Sequence, residues 1–161
     1  MNIFFITFGS NGYERAVNRI CRQASEFGIF NSINGFIEND LDKFEEFKSH
    51  IKFCENNQGF GYWIWKAFLI RKTLEIMENE DILLYCDAGC ELKASGKKRM
   101  LEYIEMVKNS ESGILAFQLP FEEKLYTKMD LLNHLNFTSE EQMNSLQNLA
   151  TTIFLENVII P

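Results

Sequence analysis

The chain reads as an α/β fold, and three observations predict it. Residues 2–8 form a short apolar run stopped by Gly9, Ser10, Asn11 and Gly12, the pattern of a buried strand that leads through a glycine turn into a helix. Residues 81–86 form a second such run, which passes straight into Asp87, Ala88 and Gly89. Between and after these runs lie stretches whose apolar residues recur every three or four positions, the period of helices packed on a sheet.

The first helix is expected from about Asn11, with Glu14 as its capping-box partner, a core face of Ala16, Val17, Ile20, Cys21, Ala24 and Phe27, and Gly28 as its terminator. Arg15, Arg19 and Arg22 lie off that face and are read first as solvated, with a ligating role for Arg15 or Arg19 as the less favoured reading. Residues 29–37 read as a short strand with a turn at Asn34 and Gly35. Asp40 then caps a helix whose stripe is Leu41, Phe44, Phe47, Ile51 and Cys54. Residues 55–59 are a polar loop, and a helix is expected over residues 62–77.

After the second strand, Ser95 is expected to cap a helix over residues 96–107, with Lys97, Lys98 and Arg99 in its first turn. Cations there oppose the helix dipole, so they answer to an anion or form a solvated patch. Residues 113–119 read as a third strand broken by Pro120. Thr127 and Asp130 have the spacing of a cap and its N3 acid, for a helix ending at Leu135. Thr138 and Ser139 open another helix to about Ala150. Residues 151–155 and 158–160 look like strand, and this apolar end is expected to leave an edge that favours association.

Composition bounds the function. At 161 residues, 46% apolar and 24% charged, the chain is long enough for one globular domain, which buries roughly 70% of its unfolded surface. Its fifteen phenylalanines read as core. A net charge of −7 argues against a nucleic-acid partner, whose phosphates demand a basic surface, yet leaves room for a nucleotide in a local pocket. No apolar run is long enough for a transmembrane segment, and residues 1–6 lack the charged start and cleavage site of a signal peptide. The expected location is cytoplasmic, extending to a peripheral position at the inner face of a membrane. Cys86 and Cys90 are spaced C-x3-C, and His50 precedes Cys54 by four. Structural zinc pairs are usually closer, so free thiols are the preferred reading over zinc.

The most distinctive stretch is Gly59, Phe60, Gly61, Tyr62, Trp63, Ile64, Trp65 and Lys66. Trp63 and Trp65 cannot both face one side of a helix, so one is expected inside and the other at a cleft, with both in the core as the alternative. Lys66, set among Trp65, Ala67, Phe68 and Leu69, needs an anionic partner. Asp87 ends a strand at the carboxyl side of the sheet, where open α/β folds bind ligands. Aromatic faces, a cation and a carboxylate together suit a sugar attached to a phosphate.

These residues resemble a family of small glycosyltransferases of the GT-A type, found in bacterial surface-polysaccharide clusters and in large DNA viruses. The likeness is carried by the opening strand from Ile3 to Ser10, the Gly59 to Lys66 block, and the stretch from Asp81 through Asp87 to Cys90. Glu123 to Asp130 agrees with it, as do Gln147 and Ala150. It implies a GT-A-like mixed, mostly parallel sheet flanked by helices. A nucleotide-sugar donor would lie over its carboxyl edge, and the acceptor would be a glycan or a lipid-linked glycan. By this likeness Thr7, Phe8, Gly9, Tyr62, Trp63, Trp65, Lys66 and Lys128 bind substrate. Asp87 takes the role of the family's acidic turn, contacting ribose and, with Glu91, a divalent Mn²⁺ or Mg²⁺ ion. The catalytic set is Asp87, Glu123 and Asp130, with Glu122 a further candidate base.

The chain departs from the pattern in three places. Gly89 stands where a strict D-x-D has its second aspartate, and Ala67 where relatives carry proline. The length, 161 residues, implies a single GT-A-like domain that lacks the family's C-terminal portion. The expected activity is transfer of a sugar to a glycan in surface-polysaccharide assembly. The alternatives are a catalytically silent nucleotide- or glycan-binding remnant, a purely structural protein, and a zinc protein. Oligomeric state is not legible in the sequence.

Overall fold

A computed structural model of the chain describes residues 1–158. Its elements are β1 (Ile3–Gly9), α1 (Glu14–Phe27), β2 (Ser32–Ile37), α2 (Glu38–Leu41), α3 (Ile51–Glu55), α4 (Gln58–Tyr62), α5 (Ile64–Leu74), β3 (Ile82–Cys86), α6 (Lys97–Lys108), β4 (Ile114–Leu115), β5 (Gln118–Glu122), α7 (Met129–His134), α8 (Glu140–Met143), β6 (Leu146–Asn148) and β7 (Thr152–Glu156). The main sheet has the order β2-β1-β3-β7-β4, and β5 pairs with β6 in a separate ribbon. β1 runs parallel to β2 and β3, while β7 runs antiparallel to β3 and β4. The fold is therefore mixed α/β, with four of the five strands pointing the same way and helices against the sheet.

Alternation along the strands divides the core in two. Ile3, Phe5, Ile82, Leu84, Cys86 and Phe154 pack with Ile20 and Ala24 of α1 and with Ile104 and Val107 of α6. Ile6, Phe8, Leu83 and Tyr85 face the other way, onto Leu41, Phe47, Cys54, Trp65 and Leu69. The expected stripe from Leu41 to Cys54 is thus core, but it is carried by α2, a 3₁₀ turn (Glu45–His50) and α3 rather than by one helix.

α1 ends at Gly28 in the left-handed conformation, as the sequence predicts, but begins at Glu14 and has no side-chain cap. β2 runs straight through Asn34 and Gly35, where a turn was expected. Gly35 is there because α1 lies on it: a Cβ would come within 2.5 Å of Val17 Cγ1 and 2.6 Å of Cys21 Sγ. Asp40 is not a cap residue but the N3 acid of α2, accepting from the Ile37 N–H at 2.9 Å. α6 starts at Lys97, with Gly96 rather than Ser95 before it. The third strand is two, β4 and β5, and Pro120 lies inside β5 where the register with β6 shifts between Gln118 and Glu122. Lys128, not Thr127, precedes α7, and Thr127 donates instead to the Glu123 carboxylate. α8 has the expected Ser139 cap with Gln142 but stops at Met143, and the chain turns into β6.

β7 corrects the expected unpaired edge. It is an interior strand, paired with β3 on one side and β4 on the other. Val158 lies beyond it outside any element, and the rest of the expected strand over residues 158–160 falls outside the described residues. Among the described residues no helix is long and apolar enough to cross a membrane.

Asp81 ties the start of β3 to the chain's first residues. Its buried carboxylate accepts from the backbone and side chain of Asn2 and, at 3.1 Å, from the Glu78 N–H. Burial alone would raise its pKa, but these donors hold it below the usual carboxylate range. A depressed folded pKa contributes stability above the unfolded value, near about 3.9, and loses it as the pH falls through the folded one. Asp81→Asn is therefore expected to be destabilised by a constant amount from neutrality down to about pH 4. The gap to the native chain should then narrow in more acidic solution, as read from urea midpoints against pH.

Candidate functional site

The carboxyl ends of the parallel strands β1 and β3 open into a cleft of about 410 Å³ lined by Phe8, Gly9, Ser10, Tyr13, Gln58, Gly59, Trp63, Trp65, Asp87, Ala88 and Gly89. Gly9 lets α1 start close to the strand, since a Cβ there would come within 2.7 Å of Val17 Cγ2 and 2.9 Å of Tyr13 Cβ. The floor is aromatic: the rings of Phe8 and Trp65 stack at 4.0 Å between centroids, with Phe60 6.0 Å from Phe8.

One wall is a backbone conformation that L-residues rarely adopt. Gly59, Phe60, Gly61, Tyr62 and Trp63 all have positive φ, from 49° to 79°. They form a left-handed turn closed by Gly61 N–H to Asn57 O at 3.3 Å and Trp63 N–H to Gly59 O at 3.2 Å. Such a conformation costs roughly 1–2 kcal/mol for each residue that carries a Cβ. It persists because its surroundings fix it: the indole N–H of Trp65 donates to Gly59 O at 3.1 Å, and Gly61 is pressed onto Cys54. Strain of this kind gathers at ligand sites. The turn also divides the tryptophans. Trp65, in α5, is buried, while Trp63, at the end of the turn, is half exposed on the cleft. This is the division expected from their spacing.

Asp87 is the one carboxylate among the cleft-lining residues described. Its Oδ1 lies 2.9 Å from Lys66 Nζ and accepts the Tyr85 hydroxyl. Lys66 is nearly enclosed, at 13% side-chain exposure, and it also donates to Ala150 O at 2.9 Å. Its ammonium lies 5.0 Å from the Tyr85 ring centroid and 5.7 Å from that of Trp65. The anionic partner that Lys66 required is therefore Asp87. Burial, and then the neighbouring Asp87 charge, push the Tyr85 phenol far up, so it stays a donor. The Asp87 turn is fixed from behind by Arg19, whose guanidinium donates to Ala88 O at 2.7 Å and Cys90 O at 2.9 Å. Arg19 is thus structural, and Arg15 is exposed.

Beneath that turn, on the α1 and α6 side of the sheet, sit Cys86 and Cys90. Each sulfur is 3.9 Å from Thr152 Oγ1, and Cys90 Sγ is 3.7 Å from Thr151 O. The contact with Cys86, followed by Thr152, brings the Cys90 thiol down to about 6 against the opposing effect of burial. The hydrogen bond to Cys90, and then burial, push Cys86 well up. Burial raises Cys21 and Cys54 as well.

The other residues singled out in the sequence fall in different places. Phe8, Gly9, Trp63, Trp65 and Asp87 line the cleft, and Lys66 stands behind Asp87. Thr7 is wholly buried on the opposite strand face from Phe8, with its hydroxyl unpaired, so it offers no surface to a ligand. Tyr62 and Lys128 meet outside the cleft, the ammonium 5.2 Å from the ring centroid, and this contact brings the start of α7 up to the left-handed turn. Glu123 accepts the Thr127 hydroxyl and Asp130 is exposed in α7. Neither is among the cleft-lining residues. Glu91 pairs with Lys93 at 3.7 Å and lines a different depression with Phe27 and Tyr103.

A divalent ion has a narrow fit here. Among the described residues no group of three His, Cys, Asp or Glu side chains could hold one. Mg²⁺ needs only one or two carboxylates when phosphates supply the remaining oxygens, and Asp87 can offer Oδ2 in that mode. The sequence reading missed Ser10, Tyr13 and Gln58 as site residues. The signal for the first two was present, in the glycine turn that follows β1. Compared with models of protein families, with curated proteins and with solved structures, the chain has no significant match.

Proposed function

We propose that the chain binds a nucleotide-sugar in the cleft above β1 and β3 and transfers the sugar to a hydroxyl of a glycan acceptor, in the assembly of a surface polysaccharide. The observation that carries this reading is the cleft itself: aromatic on its floor and walls, ligand-sized, and holding one carboxylate braced by an enclosed lysine.

In this reading Trp63 and Tyr13 cover the apolar face of the base or sugar, as half-exposed rings at a cleft do. Asp87 takes a donor hydroxyl, and Lys66, 2.9 Å away, holds that carboxylate in place. The acceptor oxygen attacks the anomeric carbon, the bond from that carbon to the phosphate oxygen breaks, and the nucleoside diphosphate leaves with the electron pair. The acceptor's proton passes to a carboxylate, for which Glu123 and Asp130 are the candidates, on the segment that Lys128 brings against Tyr62. A divalent cation, when bound, supplies charge neutralisation at the phosphates, and Asp87 is the residue that would hold it.

A second reading is favoured by one observation. Glu123 and Asp130 are not among the residues lining the cleft, which suits a chain that binds the nucleotide without turnover. A thermal-shift titration with UDP, GDP and CMP, with and without Mn²⁺, tests binding. A native-state ligand at a hundred times its Kd stabilises by about 2.7 kcal/mol. One diphosphate is expected to raise the midpoint, and Asp87→Asn is expected to lose most of that rise. No shift with any nucleotide would overturn the binding site. A shift with no release of sugar from the matching donor, either to acceptor or to water, would decide for the silent form.

A further inference from the structure

We propose that Cys86 and Cys90 form a dithiol site that is oxidised to an internal disulfide by a low-molecular-weight disulfide, closing a covalent loop around Asp87. Cys90 closes the tight turn in which its N–H donates to Asp87 O at 2.9 Å, and Cys86 ends β3 immediately before that turn. The chain therefore reverses between them and brings both sulfurs to one hydroxyl, Thr152 Oγ1, at 3.9 Å each. The polar and charged groups around the pair are few. Thr151 and Thr152 come from β7, Arg19 of α1 binds the Cys90 carbonyl, and Asp87 lies between the two cysteines with its carboxylate turned to Lys66 on the other face of the sheet. Cys90 is partly exposed while Cys86 is buried, so an incoming reagent meets Cys90 first. Cys21 lies in α1 and Cys54 in α3, and neither has a second cysteine on a shared partner among the described contacts.

The chemistry balances in two exchanges. The Cys90 thiolate attacks one sulfur of the reagent RSSR, the S–S bond breaks, and RS⁻ leaves with the electron pair, giving a mixed disulfide at Cys90. Cys86 then loses its proton to solvent or to the departed thiolate and attacks the Cys90 sulfur, releasing the second RS⁻. In total, two protein thiols and RSSR give one internal disulfide and two RSH. The protein loses two hydrogens and the reagent is reduced. The bridge removes both thiols from Thr152 and confines the turn that carries the cleft carboxylate.

The test uses the whole chain and oxidised glutathione, followed by acid quench, alkylation of remaining thiols, intact mass and peptide mapping. The expected result is a species that has lost two hydrogens and taken up two alkyl groups rather than four, with Cys86 and Cys90 linked and Cys21 and Cys54 alkylated. Dithiothreitol should reverse it. Cys86→Ser should stop at a glutathione adduct on Cys90, and Cys90→Ser should give neither bridge nor adduct at position 86. A glutathione adduct that persists on Cys90 of the native chain, or modification of Cys21 or Cys54 as fast as Cys90, would overturn the proposal. These readouts are masses, so they are independent of whether any nucleotide binds.

Discussion

Gly61→Ala is expected to lower the stability of the chain by about 3 kcal/mol, the sum of left-handed backbone strain and overpacking. Gly61 has φ 79°, and a Cβ there would come within 2.7 Å of Cys54 Sγ, 3.0 Å of Cys54 Cα and 3.2 Å of Ile64 Cγ2. One of these atoms belongs to backbone, so the clash cannot be relieved by a rotamer change alone. The turn already holds Phe60, Tyr62 and Trp63 at positive φ, and an additional strained residue would favour release of the whole turn. Such a release would take Trp63 off the cleft, so the nucleotide response should fall with stability. Gly89→Ala is the control. It lies in the Asp87 turn and on the same cleft, yet a Cβ there meets nothing within 4 Å and its φ is not left-handed. Its urea midpoint should stay close to that of the native chain. If the two variants differ by less than about 1 kcal/mol, the left-handed turn is not the constraint it is taken to be here.

Lys66→Met is expected to cost roughly 2 kcal/mol of stability and to remove the nucleotide-dependent rise in the melting midpoint. The magnitude sits between that of an exposed ion pair and that of a fully buried one, because Lys66 is 13% exposed and Asp87 31%. Methionine keeps the apolar stem that packs on Trp65 and Tyr85. What is lost is the charge, which leaves Asp87 with Tyr85 as its hydrogen-bonding partner and Ala150 O without its donor. A double-mutant cycle with Asp87→Asn should show strong coupling, the double variant being less destabilised than the two single losses added together. Additive losses would mean that the pair seen at 2.9 Å contributes nothing specific.

Much of the site was legible because its signals are local. A lysine set among apolar residues demands an anion, and an aspartate at the end of a buried strand sits where α/β sheets bind ligands. The fold joins these two demands by placing Lys66 on Asp87. The short, continuously apolar runs of β1 and β3, the core face of α1 and its glycine terminator were legible for the same reason. Spacing suggested that Trp63 and Trp65 would part, and the left-handed turn decided it by leaving Trp63 outside α5 and exposed while Trp65 is buried.

The misplacements share a cause as well. Asn34 and Gly35 carry a turn signal, yet they run as strand because α1 needs a residue without a side chain at that point. The left-handed turn of residues 59–63 leaves no periodic signature, since its conformation is imposed by packing on Cys54 and by the Trp65 indole. The apolar end over residues 151–160 reads as an unpaired edge, yet residues 152–156 of it are the strand between β3 and β4, because pairing partners are chosen across the chain and not within it. By itself, then, the sequence determined the buried strands β1 and β3, the core face of α1 and the residues with unmet electrostatic needs, all of which depend on neighbours within a few positions. Only the tertiary structure decided strand order, the approach of α1 to Gly35, the strained wall of the cleft and the meeting of Cys86 with Cys90 over Thr152. Each of these is set by contacts between distant segments, which no local pattern encodes.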